Sequence, residues 1–464
     1  NVGVYVGSMY KHQVSDGTWP DDDARKASLS SHMFISSSAS IANRTSHVFG
    51  FEGPSVVVDT MSSSAATAIH LACRDLAEGV CTLAIAGGVN LSLHQDKYIA
   101  LSQLNMIGSH PGSRSFSSGD GYLPSECVGA VILKPLHRAV EDGDAVLAVV
   151  KGIESRHAGR SISYGTPNVV SQERLVESVL RSSNSEEVPI TYVEATSNGV
   201  PIVDDVEAAV LRKVFSSGRY IQESCVIGSV KSNIGHPEAA SGIAQLTKVV
   251  LQMMNKKIAP IVEVGEIRED LNSIGLARRL MDWAPHRIDA RDGSLPLPRR
   301  ALINTFGAGG SCVSMVVEEY APSLQEQPAE EALGDREEAI LLSAHTAEQL
   351  QAVIEQFLIY ARRNPDIPIG DLAYTLQLRR THMRYRWAAV VRTVDELIAK
   401  LEGTLEQGAS DPNAGPSSED SVDAVNRLRK IMSGNVGRQV SKTLLEDRDI
   451  NGLAGLWQMG IDVP

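Results

Sequence analysis

The sequence predicts an α/β fold, and two similar stretches of the chain carry that prediction. In each stretch, β-branched residues lead through small residues into an amphipathic helix, first around residues 56–77 and again around residues 226–254. Such runs are typical of buried strands, and strands that alternate with helices are typical of layered α/β proteins. The two stretches indicate two related halves that meet at one site, although no direct sequence repeat is visible.

The first stretch predicts a candidate nucleophile. It reads as a strand at residues 56–58, a turn of small residues, and a helix from about Ala65 to Ala77. A side chain in such a turn lies near a helix N-terminus, where free N–H groups favour negative charge. The candidate is Ser62, although a serine in a serine triplet more often caps a helix or shapes a turn.

The second stretch predicts partners for that nucleophile. A strand at residues 226–231 ends in Lys231, and the turn that follows carries His236 before a helix over residues 239–254. A nucleophile needs a group that activates it or donors that stabilise an oxyanion. A third segment, the glycine loop 307–310, allows close approach of backbone N–H groups to a substrate. Each signal is weak alone, since such a histidine is more often structural.

Other patterns complete the predicted architecture. Residues 127–134 and 145–153 are expected to be paired strands, and residues 190–195 a further strand. The composition changes at Pro322–Arg336, which predicts a linker. Beyond it, two strands and several helices predict a small α/β domain with a structural role, and Trp457 is expected to anchor the tail onto the main domain.

Composition and charge narrow the class of function. The 464 residues carry a net charge of −13 and no block of Lys and Arg, which argues against nucleic acid as the main partner. No run is long and apolar enough to predict a membrane span. The five cysteines are scattered without a CxxC pair, so reduced thiols in a cytoplasmic protein are expected, with no metal site.

Four stretches together resemble the ketosynthase domain of modular type I polyketide synthases. They read VDTMSSSAATAIHLAC around Ser62, GDGYLPSECVGAVILKPL, GSVKSNIGHPEAASGIAQLTKVVLQM from residue 228, and NTFGAGGS from residue 304. The resemblance implies a thiolase-like αβαβα fold over residues 1–321 and a post-ketosynthase linker domain over residues 322–464. It places the family's opening βαβ segment before Val2. Met61 and the tail GLAGLWQMGIDVP resemble the subgroup whose acyltransferases act in trans.

The departures from the family pattern decide the functional hypothesis. In the family, a Cys stands at the position of Ser62 and carries the acyl chain as a thioester, and a His opens the motif that here begins at Thr196. Threonine cannot supply the imidazole used to decarboxylate a malonyl thioester. Cys312 and Ser314 likewise replace the usual Asn and His. The resemblance therefore implies a ketosynthase that has lost carbon–carbon bond formation.

The resemblance also implies roles for the site residues. Residue 62 holds the acyl chain, and its N–H forms the oxyanion site with the glycine-loop backbone. His236 hydrogen-bonds the thioester carbonyl, and Lys231 orders His236 electrostatically. The remaining candidates border the substrate: Met61, Asn233, Phe306, Gly307, Gly309 and Gly310.

Partners and alternatives follow from the same resemblance. The implied partners are acyl carrier proteins with phosphopantetheine arms, neighbouring polyketide synthase domains, and a second copy in a homodimer; no bound cofactor is expected. One alternative is an elongating ketosynthase in which Ser62 is an engineered replacement of Cys. A second is a serine acyltransferase that uses Ser62 and His236 as a dyad. A third is a docking module that never carries a chain.

Overall fold

The chain forms two compact units, residues 1–321 and residues 322–464. The computed structural model describes residues 1–9, 37–112, 115–117, 119–216, 218–262, 275–290, 293–321, 336–406, 435–461 and 463. Of the predicted linker at Pro322–Arg336, all but its last residue lie outside this part of the chain. Each unit is described by itself.

The first sheet of the first unit is built around strand β1. Its four strands lie in the order β2-β1-β3-β4, and β4 runs antiparallel to β3 while the other pairs are parallel. The turn after β2 leads into helix α2, as predicted for the Ser62 stretch. The elements of this half are β1 (Val2–Ser8), α1 (Ala39–Phe49), β2 (Ser55–Val58), α2 (Ser64–Ala77), β3 (Leu83–Asn90), α3 (Asp96–Gln103), β4 (Cys127–Leu133) and α4 (Leu136–Glu141).

The second sheet has five strands in the order β5-β13-β12-β6-β7. The elements are β5 (Ala148–His157), α5 (Val169–Ser182), β6 (Ile190–Glu194), α6 (Pro201–Ser216), β7 (Ile221–Gly228), α7 (Lys231–Ile234), α8 (Ser241–Asn255), β12 (Arg300–Phe306) and β13 (Ser311–Glu319), with the short strands β8 (Lys257–Ile258), β9 (Met281–Asp282), β10 (Arg287–Ala290) and β11 (Gly293–Pro296). The prediction that residues 127–134 pair with residues 145–153 is wrong, because β4 pairs with β3 and β5 pairs with β13. The prediction paired the two strands because they are consecutive along the chain.

Helices α2 and α8 lie between the two sheets. Each contacts strands of both sheets, and the two helices contact each other. Their facing sides carry small residues, and a Cβ built on Gly242 of α8 would lie 2.5 Å from the backbone nitrogen of Ala66 in α2. Helix α1 covers the first sheet, and α5 and α6 cover the second. The unit therefore has the five α/β/α/β/α layers that the family resemblance implied.

The second unit is a two-stranded antiparallel sheet covered by helices on both faces. Strands β14 (Glu338–Ala344) and β15 (Tyr385–Val391) pair, with α9 (Ala347–Arg363), α10 (Ile369–Leu378) and α11 (Val394–Glu406) on one face. After α12 (Asn435–Glu446), helix α13 (Ile450–Gln458) packs on the other face. Trp457 is 2% exposed against Ala339 and Leu341, so it anchors the tail to this second unit, contrary to the prediction.

No helix in the described parts of the chain is long and apolar enough to span a bilayer.

Candidate active site

The turn that carries Ser62 is held by its neighbouring hydroxyl groups. Ser63 Oγ donates to the Thr60 carbonyl at 2.8 Å, and Ser64 Oγ donates to the Met61 carbonyl at 2.6 Å. Met61 has a φ of 57°, in the left-handed region that a non-glycine side chain seldom occupies. A residue strained in this way marks a position that the surrounding structure over-determines, which is common at functional sites. Of the three serines, Ser62 is the one whose hydroxyl makes no hydrogen bond within the turn.

Ser62 meets His236 from the second half of the unit. The Ser62 Oγ and the His236 Nε2 lie 3.3 Å apart, across 174 residues of sequence. The two strand–turn–helix stretches therefore bring their polar side chains to one place. The imidazole is 4% exposed, and the Tyr122 ring packs edge-on against it at 4.7 Å between centroids.

The other nitrogen of His236 fixes the position of the imidazole proton. The backbone N–H of Glu238 donates to His236 Nδ1 at 3.2 Å, and the Ser241 hydroxyl lies 3.2 Å from the same atom. Burial, with the positive charges of Lys231 and Lys97, lowers the pKa of His236 well below its usual value, so the ring is neutral. A neutral ring whose Nδ1 accepts a hydrogen bond carries its proton on Nε2, which points at Ser62.

A buried ion pair holds the residue that fixes His236. Glu238 has a φ of 40°, and its carboxylate pairs with the buried ammonium group of Lys97. The Tyr122 hydroxyl donates to the same carboxylate at 3.0 Å. Tyr122 therefore contacts both the imidazole and the carboxylate behind it, and the three side chains form a support for the ring.

Lys231 lies fully buried among carboxylates. Its ammonium group donates to the Thr196 carbonyl, and Glu207, Glu194 and Asp204 act on it electrostatically. Burial lowers the pKa of Lys231, and the carboxylates partly oppose that shift. Burial likewise raises the pKa of Glu207, although N–H groups and Lys231 favour its charged form. The Lys231 charge in turn disfavours a proton on His236.

Every hydrogen-bonding group of Thr196 is engaged, its hydroxyl by backbone and its own backbone by side chains. It is 2% exposed, its hydroxyl donates to the Asn304 carbonyl at 2.8 Å, and the Phe306 N–H donates to that hydroxyl at 3.1 Å. Its own N–H donates to Glu207 at 3.0 Å. The Thr196 side chain, two residues after the end of β6, therefore ties this segment to the start of the glycine loop.

The glycine loop lies directly against the Ser62 turn. A Cβ on Gly307 would lie 2.7 Å from the Thr60 carbonyl oxygen, and one on Gly309 would lie 3.2 Å from the Met61 sulfur. This close approach explains why the loop needs glycine. Within the loop, the Gly307 N–H donates to Ser311 and the Gly310 N–H donates to Gly307, both at 2.9 Å. Those two N–H groups are thus engaged inside the loop.

Two further candidates lie at the rim of this cluster. The Phe306 side chain is 7% exposed and packs in the core beneath the second sheet, next to Cys312. Asn233 is exposed, and its amide donates to the Pro260 carbonyl at 3.1 Å. No contact among the described residues joins Asn233 to Ser62 or His236, so its visible role is to tie down the turn.

Sequence reasoning missed the carboxylates and the tyrosine around the site. The missed residues are Tyr122, Glu194, Asp204, Glu207 and Glu238, with Lys97. A signal existed for Glu207, since an acidic residue between Val206 and Ala208 interrupts the buried face of α6. Tyr122 and Lys97 become neighbours of His236 only through the tertiary fold.

Family models match most of the first unit and part of the second. The beta-ketoacyl synthase N-terminal domain matches residues 1–139, and its C-terminal domain matches residues 147–265. The CurL-like PKS C-terminal model matches residues 338–401. The first match contains Ser62, and the second contains Lys231 and His236.

Two curated relatives are polyketide synthases of Bacillus subtilis. PksL is 40% identical over 411 residues, which cover 86% of this chain and 9% of that protein. PksR is 34% identical over 468 residues, which cover 98% of this chain and 18% of that protein. The chain therefore spans less than a fifth of the length of either relative.

Solved ketosynthase structures share the fold. The oxazolomycin ketosynthase domain OzmH KS7 of Streptomyces albus has a TM-score of 0.76 and 35% identity, over 90% of this chain and 72% of that chain. The ketosynthase from module 6 of the Bacillus subtilis bacillaene synthase, in a Cys-to-Ser mutant form, has a TM-score of 0.81 and 28% identity, over 100% and 76% of the two chains. With the thiolase-like layers and the paired Ser62 and His236 turns, these matches establish that the chain belongs to the beta-ketoacyl synthase family as a ketosynthase domain of a modular polyketide synthase.

Proposed function

We propose that this ketosynthase passes an acyl chain between carrier proteins without decarboxylative condensation. The observation that carries the proposal is Thr196, which occupies the position where the family resemblance expects an imidazole. Its hydroxyl is already used between Asn304 and Phe306, and it has no second proton to offer a malonyl carboxylate or carbonyl. The family has two imidazoles beside the nucleophile. In this chain threonine replaces one of them, and the other, His236, faces residue 62.

One neutral imidazole is suited to acyl transfer. Its Nε2–H points toward residue 62, where it can donate to the carbonyl oxygen of an incoming thioester as negative charge develops there. The Ser62 N–H and the loop N–H groups of Ala308 and Gly309 would supply the remaining donors, because those of Gly307 and Gly310 are engaged within the loop. Decarboxylation needs further stabilisation of an enolate, and the site offers no second imidazole for it.

The hydrogen bond from the Glu238 N–H to His236 Nδ1 argues against a Ser62–His236 dyad. A general base needs a free lone pair on the nitrogen that faces the hydroxyl, whereas Nε2 carries the proton when Nδ1 accepts from Glu238. In catalytic triads a carboxylate orients the opposite nitrogen as a donor, and here a backbone N–H occupies that place. With serine at position 62, we therefore expect slow or no acylation, and with cysteine we expect efficient acylation.

The proposed assembly follows the family resemblance. Acyl chains would arrive on the phosphopantetheine arms of carrier proteins, with the acyltransferase of the system acting in trans. Strand β2 lies at the edge of the first sheet, directly before the Ser62 turn. We expect this edge to pair with the same strand of a second copy in a homodimer.

Intact-mass spectrometry of two proteins tests the proposal. The chain as it stands and its Ser62→Cys variant are each offered an acyl-pantetheine thioester and then a malonyl-loaded carrier protein. The proposal expects the acyl mass on the Cys variant and no extended product afterwards. Acylation of the Ser form would support the dyad, extended product would contradict the loss of condensation, and failure of the Cys variant to acylate would favour the docking module.

A further inference from the structure

A groove on the second half of the first unit is lined by three arginines and by no acidic residue. It has a volume of about 400 Å³ and lies between the end of strand β5 and the start of helix α5. Its polar lining consists of Arg156, His157, Arg160, Asn168, Ser171 and Arg174. We call it the arginine groove.

The arginines of this groove have no partners of their own. None of the guanidinium groups of Arg156, Arg160 and Arg174 makes an ion pair or a side-chain hydrogen bond within the described residues. All three residues are exposed. The protein as a whole carries a net charge of −13, so three converging, unpaired cations are unusual for its surface. The adjoining groove along α5 has a mixed lining: Arg156 and Arg174 border it too, together with Arg181, Glu154 and Glu177.

Helix α5 adds to the positive potential. The helix has 14 residues and begins at Val169, with Asn168 as its N-cap accepting from the Ser171 N–H at 3.2 Å. Val170 and Ser171 of its first turn line the groove. The partial positive charge of a helix N-terminus favours an anion at this end, and phosphate is a frequent ligand there.

The arginine groove adjoins the candidate active site. His157, at the end of β5, lies with its Nε2 3.1 Å from the Gly309 carbonyl oxygen. Gly309 in turn lies against Met61, the residue before Ser62. One glycine loop therefore separates the groove from the proposed nucleophile.

We propose that the arginine groove binds the phosphodiester of a phosphopantetheine arm whose thioester end reaches residue 62. The inference rests on the proposed function, which supplies the class of substrate. A phosphodiester is the anionic group of such an arm, and guanidinium groups bind phosphate oxygens through paired N–H donors. The groove thus holds the arm at its charged end, and the glycine loop receives its reactive end.

Binding measurements on the unmodified active site test this assignment. Isothermal titration compares 4′-phosphopantetheine with pantetheine, which lacks the phosphate. We expect the phosphorylated probe to bind about tenfold more tightly, and the preference to weaken at high ionic strength. The variant Arg156→Gln/Arg160→Gln/Arg174→Gln should lose the preference. Arg174→Gln should weaken it, whereas the matched control Arg181→Gln, on the same helix, should keep it.

Equal affinity for the two probes, or a preference that survives in the triple variant, would overturn the assignment. A second arm compares a carrier protein with and without its phosphopantetheine. If the triple variant loses affinity equally for both forms, an acidic carrier surface occupies the groove and the phosphate does not. These arms need no acyl transfer, so a failure of Ser62→Cys to acylate would count against the proposed function alone.

Discussion

The two halves of the first unit use the same topology with different chemistry. Strands β2-β1-β3-β4 of the first sheet correspond in order and direction to β7-β6-β12-β13 of the second. In both, the first-named strand leads through a turn into a central helix, α2 or α8. The first turn presents hydroxyl groups, whereas the second presents Lys231 and His236 surrounded by buried carboxylates. One scaffold therefore holds a nucleophile on one side and a charged support on the other.

The halves also differ at the outer edge of their sheets. In the second sheet, β5 pairs with the outer edge of β13, and β13 is buried over most of its length. The equivalent edge of β4 has no paired strand among the described residues, and Val128 and Ile132 are 69% and 71% exposed. Where both edges of a strand are paired, its register is fixed from two sides; β4 is fixed from one.

Removal of the buried charge of the second half should have the largest effect. Lys231→Met leaves Glu207, Glu194 and Asp204 without their central cation, and an uncompensated buried charge costs about 3–5 kcal/mol. We expect that loss in the free energy of unfolding of the first unit, measured by denaturant titration. The control Lys257→Met removes an exposed ion pair with Asp282 and should cost about 0–1 kcal/mol. Equal losses would mean that Lys231 is not the centre of a charged support.

The crossing of the two central helices should be the next most sensitive point. Gly242→Ala places a methyl group 2.5 Å from the Ala66 backbone nitrogen, where neither helix can move freely. Overpacking of this kind costs about 1–3 kcal/mol. The control Gly403→Ala, in helix α11 with open space around it, should stabilise by about 0.5–1 kcal/mol. A neutral Gly242→Ala would mean that the halves do not depend on this contact.

Thr196 should matter through its hydroxyl group. Thr196→Val leaves the buried Phe306 N–H without its acceptor, at a cost of about 1–2 kcal/mol. Thr196→Ser keeps the hydroxyl and should retain most of the stability. The comparison is made by thermal unfolding of both variants; if Ser is as destabilising as Val, lost packing rather than the lost hydrogen bond explains the effect.

The pH dependence of stability should report the neutral imidazole of the second half. The pKa of His236 is lowered in the folded state, so below about pH 6.5 the unfolded chain binds a proton that the folded chain does not. Stability from this group is therefore present above its unfolded pKa and is lost as the pH falls, by about 1 kcal/mol per pH unit. The difference in free energy of unfolding between the protein and its His236→Asn variant should shrink from pH 7 to pH 5. A constant gap would contradict the lowered pKa.

Local pattern and resemblance predicted the elements better than their partners. The two strand–turn–helix stretches, the glycine loop and the layers could be read from the sequence because strand runs and helical periodicity are local. The partners of β4 and β5 could not, because β4 pairs with the preceding strand β3 and β5 pairs with β13, which lies far along the chain. The Thr196 position could be read, but its bonds to Asn304 and Phe306 depend on strand β12 arriving beside β6.

Long-range charge was the least predictable part of the site. Glu238 lies two residues after His236, and its N–H donates to the imidazole while its backbone adopts an unusual φ of 40°. Its partners Lys97 and Tyr122 come from the first half, more than 100 residues away. The direction in which His236 donates its proton thus depends on tertiary contacts between the two halves.

The most direct test of the central claim is carbon dioxide release. The Ser62→Cys variant is loaded with an acyl chain, its loading is verified by mass, and a malonyl-loaded carrier protein is added with labelled malonyl carboxylate. We predict that labelled carbon dioxide does not rise above the level of the unloaded control. In a parallel reaction with a carrier protein whose phosphopantetheine thiol is free, we predict that the acyl chain moves to that thiol without added mass. Release of one labelled carbon dioxide per chain, with an extended product on the carrier, would contradict the account.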